Sequence, residues 1–307
     1  MHLILNGVEI EDTFAEAFTM RATRLTVTAI NEQWAYNAAL AATGFATSVI
    51  GCGVEAGIEG LSPSTEDDRV GIDCLFFASS KEGLEASVAQ RVGQAIITAP
   101  TAALYDGKLV EYPADYDGLS TFKVGSKLRF FGDGYQASKM VGEKRYWRIP
   151  VMGGEFMIED EFTMAKAVGG GNFLIFADSI EAALKAAEAA VKKMKQIRGI
   201  ILPFPGGIVG SGSKVGSKYK FLSASTNTAF CPTVRGRVED SALPEGTNAV
   251  LEIVIDGLTE QLVSQAMRTG ILEAVKVPGI QRITAGNYGG KLGKYHFYLH
   301  KIIGGEI

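Results

Sequence analysis

The sequence predicts an α+β protein of two ferredoxin-like α/β sandwich lobes, a duplication whose mostly antiparallel sheets are flanked by helices. Two observations carry that prediction. A strand–helix–strand rhythm occurs twice in each half of the chain, and two copies of β-α-β-β-α-β build two such lobes. Residues 280–303 also suggest hairpin pairing around glycines. A doubly wound parallel sheet, the alternative for alternating strands and helices, does not supply that. The lobes are expected to meet near Gly153-Gly154, giving an N-terminal lobe over residues 1–152 and a C-terminal lobe over 153–307.

In the N-terminal half, Leu25–Ile30 reads as a strand and Asn31 as the cap of a helix through Trp34, Ala38 and Ala42. Thr47–Ile50 reads as the next strand and Arg69–Ala78 as another. Ser79–Glu82 has the form of a capping box, and its helix carries Leu84, Val88, Val92, Ala95 and Ile96. The strand YWRIPVM closes this half. In the C-terminal half, Asn172–Ala177 is a strand, and Asp178 and Ser179 offer capping oxygens. Leu184, Ala187, Val191 and Met194 then recur at helical spacing. Gly199 ends that helix, and Ile200–Phe204 reads as the returning strand. Ala249–Ile255 is the next strand, Asp256-Gly257 a turn, and Thr259 the cap of a helix with Leu262, Ala266, Met267, Ile271, Ala274 and Val275 on one side. After Pro278-Gly279 come a strand, Ile280–Ala285, a Gly-rich turn, and KYHFYLHKII.

Composition narrows the function. Of 307 residues, 47% are hydrophobic and 21% charged, the balance of a chain that folds around a core rather than a disordered one. The net charge of -4 is spread along the chain, with no basic stripe to displace counterions from nucleic acid. Cys52, Cys74 and Cys231 lie far apart without a C-x-x-C pair, which fits a reducing cytoplasm. No basic leader precedes an apolar run, and no window approaches the ~20 apolar residues that span a bilayer. A soluble, cytoplasmic protein without membrane or nucleic-acid partners is expected.

Glycine, at 37 residues, is clustered. The longest cluster, Pro203 to Phe221 (PFPGGIVGSGSKVGSKYKF), joins the close-approach backbone of Gly206, Gly207, Gly210 and Gly212 to the hydroxyls of Ser211 and Ser213. Lys214 and Lys218 add charge, so the segment suits a carboxylate or phosphate. It is not a P-loop, since Ser213 separates Gly212 from Lys214, and Gly216 falls one residue late for G-x-G-x-x-G. A long surface turn is the alternative. Val168–Asn172, Ala285–Gly293 and Phe130–Tyr135 are further clusters. Each reads either as a tight turn or as backbone lining a cleft for a flat heterocycle.

Glu252 stands out chemically. It lies inside Ala249–Ile255 with Val250 and Val254 on its own face. Burial there raises a carboxyl's pKa, and a neutral acid can donate to an oxygen that becomes negative. An edge-strand glutamate facing water, or one paired with a lysine, is the alternative. His296 and His300 share parity on the expected last strand but lack further metal ligands nearby, so no metal is assigned. No G-x-S-x-G elbow is present, and a reaction without a covalent enzyme intermediate is the simpler expectation.

Several stretches together resemble one family. They are NGVEIEDTFAEAF (Asn6–Phe18), ATGFATSVI (Ala42–Ile50), VEAGIE (Val54–Glu59), VGQAIITAPTAA, RFFGDGYQ, PFPGGIVGSGSKVGSKYKFL, ASTNTAFCP, LEIVIDGL and TAGNYGGKLGKY. The chain resembles formylmethanofuran–tetrahydromethanopterin formyltransferases nearly end to end. The resemblance implies two ferredoxin-like lobes and formyl transfer between the amine of methanofuran and N5 of tetrahydromethanopterin. It also implies no bound prosthetic group or metal, homotetramers, and a cleft near subunit contacts. The family's proposed catalytic glutamate matches Glu252. Ser211, Ser213, Lys214 and Lys218, with Gly206 and Gly207, are expected to hold a carrier's anionic tail, and Thr98, Pro100 and Thr101 in TAPT to line the cleft.

Two details point to the bacterial branch of the resemblance. CGVEAG replaces the archaeal C-P-A-E-A-G, and RYWRIPVM is similar to bacterial members. That branch implies the transferase subunit of a formyltransferase/hydrolase complex in formaldehyde oxidation. A subunit that has lost activity, a phosphate-binding protein built on Pro203–Phe221, and an acyltransferase for another pterin or folate are the competing readings.

Overall fold

The computed structural model describes residues 3–113 and 116–305. Four strands of the first lobe lie side by side in the order Glu55–Leu61, Gly71–Ala78, Phe14–Thr28, Ala103–Asp106. In the second lobe the order is Ile200–Ile201, Ala249–Gly257, Glu161–Ala177, Ile280–Thr284. Every neighbouring pair within these two sets is antiparallel, as two β-α-β-β-α-β units require.

Each lobe carries two helices on one face of its sheet. Glu32–Thr43 and Lys81–Arg91, the latter running on through a π-helical turn at Val92–Ile96, cover the first. Ile180–Met194 and Glu260–Ala274 cover the second. Local chemistry sets their starts: the Trp34 N–H donates to the Asn31 side chain at 3.0 Å, and Ser179 and Thr259 cap the two helices of the second lobe. In the first lobe Ser80, rather than Ser79, is the cap, accepting from the Gly83 N–H at 3.0 Å.

The strands are longer and more entangled than the local pattern suggests. Leu25–Thr28 is only the end of a 15-residue strand beginning at Phe14, and Asn172–Ala177 the end of a 17-residue strand beginning at Glu161. These two strands pair with each other from Phe18↔Gly169 to Ala22↔Ala165. Each lobe then lends a strand to the other. Val8–Ile10 runs parallel to Ile280–Thr284, and Gly154–Glu159 runs parallel to Ala103–Asp106. Val8, Ile10, Ala15 and Ala17 are accordingly buried in the core of the second lobe. Phe156, Ile158, Phe162 and Met164 are buried in that of the first. Burying each large apolar side chain of this kind contributes roughly 1.5–3 kcal/mol.

Several local expectations give way to tertiary context. Thr47–Ile50 is not a strand. The Ile50 N–H donates to the Ser48 hydroxyl, starting a short helix, Val49–Cys52, which Gly53 ends at φ 74. Asp256 and Gly257 are not a turn but the last residues of the strand, and Asp256 is fully buried. Tyr295–Tyr298 pairs with Phe14–Ala17, so residues 280–303 form no hairpin. His300 falls on the helix Leu299–Gly304 and contacts the Ile10 carbonyl oxygen, while His296 stays on the strand. Val168–Gly171 is a bulge inside the long strand, not a turn. Gly170 there has φ 87, and a Cβ on Gly169 would collide with the Met20 sulfur.

Candidate active site

The face of the second sheet turned away from its helices is covered at one end, where Phe230 packs on Phe176, and opens on a cavity around Glu252. Along Ala249–Gly257, Leu251, Ile253 and Ile255 pack into the core, so Val250, Glu252 and Val254 face the other way. They floor a cavity of about 570 Å³, within the range of roughly 300–1,000 Å³ typical of small-molecule sites. The Gly-rich segment is stitched to the free edge of this strand by an antiparallel bridge. The Val209 N–H donates to the Glu252 carbonyl at 2.7 Å and the Glu252 N–H to the Val209 carbonyl at 3.0 Å. The chain thereby carries Gly210, Ser211, Gly212, Ser213 and Lys214 along the cavity wall.

Glu252 has no ion-pair partner among the described residues, and burial alone pushes its carboxyl up to about 7. A substantial fraction is therefore a neutral acid at neutral pH. Lys214 also borders the cavity, its ammonium donating to the Thr228 hydroxyl at 2.8 Å.

The opposite wall rests on a carboxylate of the first long strand. Glu16 is 1% exposed and accepts four backbone N–H groups, from Tyr288 at 2.7 Å, Gly290 at 2.9 Å, and Leu292 and Gly293 at 2.5 Å each. Burial opposes its ionisation, but these four donors hold it down at about 2. The Ala285–Gly293 segment is thus folded around a fixed negative charge. Its other end is held by Asn172, whose side-chain oxygen accepts from the Gly286 N–H at 2.6 Å and whose amide donates to the Gly286 carbonyl at 3.2 Å. The result places Tyr288 at the cavity edge, its phenol pushed above the ordinary value by burial and by Glu252 and Glu16.

The expected site residues divide into three places. Glu252, Ser211, Ser213 and Lys214 share the cavity. Gly206 and Gly207 line a neighbouring groove of about 310 Å³, and Phe204 borders both spaces. Lys218 is exposed and borders neither, as are Thr98, Pro100 and Thr101. The Thr98 hydroxyl donates to the Gln94 carbonyl of its own helical turn, and the Thr101 hydroxyl accepts from the Ile30 N–H. The 130–135 cluster likewise stands outside the cavity, with Phe130 and Phe131 exposed.

Val168–Asn172 and Ala285–Gly293 are expected as turns or as cleft lining, and Gly170, Asn172, Gly286 and Tyr288 do border the cavity, as do Glu16 and Glu55, which sequence reasoning missed. A local signal marks Asn172 and Glu16. Asn172 interrupts an otherwise apolar strand, and Glu16 stands between Ala15 and Ala17, which are fully buried.

Comparison with known proteins adds to this geometry. Residues 3–151 match a family model described as formylmethanofuran-tetrahydromethanopterin formyltransferase, and residues 154–302 match its proximal lobe. A relative of that name from Methylobacillus flagellatus is 55% identical over 98% of this chain and 100% of its own. One from Methanosarcina acetivorans is 49% identical over 97% of this chain and 99% of its own. Among solved structures, the formyltransferase/hydrolase complex from Methylorubrum extorquens with methylofuran superposes with a TM-score of 0.92 at 46% identity, covering 99% of each chain. The enzyme from Methanosarcina barkeri gives 0.89 at 47% identity, over 98% of this chain and 100% of that one.

Proposed function

The chain belongs to the formylmethanofuran–tetrahydromethanopterin formyltransferase family, and we propose the parts its cavity residues play in the reaction. It is a formyltransferase of one-carbon metabolism. It moves formyl between N5 of tetrahydromethanopterin and the amine of methanofuran or a methanofuran analogue. The observation that carries the assignment of roles is Glu252, an unpaired acid with a pKa of about 7 on the floor of the cavity.

A formamide is a poor acyl donor, so the attacking amine must be held against the formyl carbon, and such positioning supplies much of the rate. Attack gives a tetrahedral oxyanion, to which protonated Glu252 donates a hydrogen bond. The bond to the first nitrogen then breaks. That nitrogen gains one proton and the attacking nitrogen loses one, so formyl is exchanged for hydrogen with no net proton consumed. Ser211, Ser213 and Lys214 hold the anionic tail of a carrier, and Gly206 and Gly207 extend that surface past Phe204. Lys218, farther along the same loop, adds long-range attraction. The exposed turn with Thr98, Pro100 and Thr101 borders neither space, and no carrier contact is assigned to it on this chain.

The carriers are substrates, and no bound cofactor is assigned. No helix among the described residues is long and apolar enough to cross a membrane, and the cytoplasm is the proposed compartment. The relative from Methylorubrum extorquens lies in a formyltransferase/hydrolase complex. We take this chain for the transferase subunit of such an assembly, with a homotetramer as its own association state. The working direction is then from formyl-tetrahydromethanopterin to the furan carrier.

The test is formyl transfer by the purified protein from formyl-tetrahydromethanopterin to methanofuran, followed by pterin absorbance. Transfer by the chain alone or with its hydrolase partners is expected. Inactivity under both conditions overturns the assignment.

A further inference from the structure

The wall between the two lobes contains a second acid centre that the reaction above does not use. Glu55 begins a strand of the first lobe and borders the cavity, while Asp256 ends the central strand of the second and is fully buried. The carboxyls of the two bear on each other across the lobe junction. Two carboxyls brought together in a buried place with no cation beside them keep a proton on one of them. Glu55 accepts the Val49 N–H at 3.0 Å, and one Asp256 oxygen accepts the Gly170 N–H at 2.9 Å. The other Asp256 oxygen is buried and has no hydrogen-bond partner. No lysine or arginine among the described residues bears on either group; the charged neighbour of each is the other.

We propose that Glu55 and Asp256 hold one proton between them, and that this proton closes the lobe junction and positions the cavity wall. The path from pair to wall is short. Asp256 fixes the Gly170 amide, the Asn172 side chain donates to the Gly170 carbonyl, and Asn172 holds Gly286 at the start of the segment that carries Tyr288. Loss of the proton leaves two negative charges together in a buried place and drives the lobes apart at this point. Both carboxyls are raised, firstly by burial. The sign follows: the folded chain keeps a proton that the unfolded chain releases above about pH 4. The pair's contribution to stability is full below that pH and is lost as pH rises towards the folded value.

This deepens the formyl-transfer reading, yet two of its three readouts need no carrier, so the two can fail separately. The central variant is Glu55→Gln, whose amide can donate to Asp256 at any pH while its oxygen still accepts from Val49. Thermal unfolding of the whole protein should show a wild-type decline with rising pH, with the folded-to-unfolded ratio falling about tenfold per pH unit for this one proton. Glu252 contributes a further decline to both proteins, so the difference between them isolates the pair. The variant should lack the pair's share. In carrier assays the wild-type KM should climb at alkaline pH and the variant's should not, while kcat falls in both with Glu252. Infrared spectra of the wild type at about pH 8, where Glu252 is mostly ionised, should retain a carboxylic-acid band. A variant whose unfolding tracks the wild type at every pH, or a wild type without that band, overturns the shared proton. A folded variant whose kcat collapses at acidic pH overturns the positioning role, because the pair would then pass its proton to the substrate.

Discussion

Asp73 and Glu252 occupy the same position in their two lobes, and their surroundings differ in one respect. Each lies on the third strand of its β-α-β-β-α-β unit, seven residues ahead of the helix caps Ser80 and Thr259. Asp73 stands opposite Thr26, and Glu252 opposite Leu174. Asp73 bonds the Thr26 hydroxyl at 2.7 Å and the Arg198 guanidinium at 2.5 Å, which closes its position off. Glu252 has neither partner and opens on the cavity. Asp73→Asn is therefore expected to lower thermal stability while leaving kcat within a few-fold of wild type. A large kcat loss with the fold intact would place Asp73 in the chemistry.

Glu252→Gln should reduce kcat about 100–1,000-fold with little change in KM, the usual cost of removing one oxyanion donor. In the wild type the active form is the neutral acid, so kcat should fall as pH rises through about 7. Stability has the same sign. The folded chain binds a proton that the unfolded chain releases above pH 4.5, and that advantage disappears by about pH 7. A flat kcat profile between pH 6 and about pH 8 would remove Glu252 as the acid.

Glu16→Gln tests the loop built around a charge. Its carboxyl titrates at about 2, so its contribution is fully present above the ordinary carboxylate range and is lost only as pH falls towards 2. Replacing it weakens four hydrogen bonds to backbone amides, at a cost of about 2–4 kcal/mol. Denaturant titration should show the loss, and KM should rise because Tyr288 moves with the segment. Unchanged stability would mean that the Ala285–Gly293 segment holds its shape without the charge.

Arg24 is 1% exposed and bonds Glu59 and Glu111, with N–O distances of 2.5 Å to each. Arg24→Ala strands two carboxylates near the lobe junction and should cost about 3–5 kcal/mol. Adding Glu59→Gln and Glu111→Gln to that variant should recover part of the loss, as measured by urea unfolding. An additive triple variant would show that the three residues do not act as a unit.

Lys214→Ala should raise the KM of the carrier whose tail it meets and leave kcat nearly unchanged. Removal of a uniformly bound anchor behaves in this way. The effect should shrink at high salt, since a partly exposed charge is screened. A kcat loss with unaltered KM would move Lys214 from the tail to the reacting centre.

The fold was legible because its signals are local. Asn31, Ser179 and Thr259 announce helix starts, and alternation around Glu252 marks a strand with one face free. What escaped reading depends on partners far along the chain. The 15-residue strand from Phe14 exists because Glu161–Ala177 and Tyr295–Tyr298 pair with it, and neither contact leaves a trace in its own sequence. Asp256-Gly257 resembles a turn until the burial of Asp256 beside Glu55 is known. Glu252 was legible because its chemistry follows from its immediate neighbours. Glu16 was not, because its four donors lie more than 270 residues away.

Strand lending also sets an order of events during synthesis. Val8–Ile10 leaves the ribosome early, but its partner Ile280–Thr284 is made near the end of the chain. Until then its paired edge has nothing to bond, and unpaired edges invite association with other chains. The first lobe waits as well, because Phe156, Ile158, Phe162 and Met164 belong to its core. A nascent chain halted between the two halves would expose both an unfilled core and an unpaired strand. Translation speed and chaperone access over the second half of the message therefore bear on the yield of the first half.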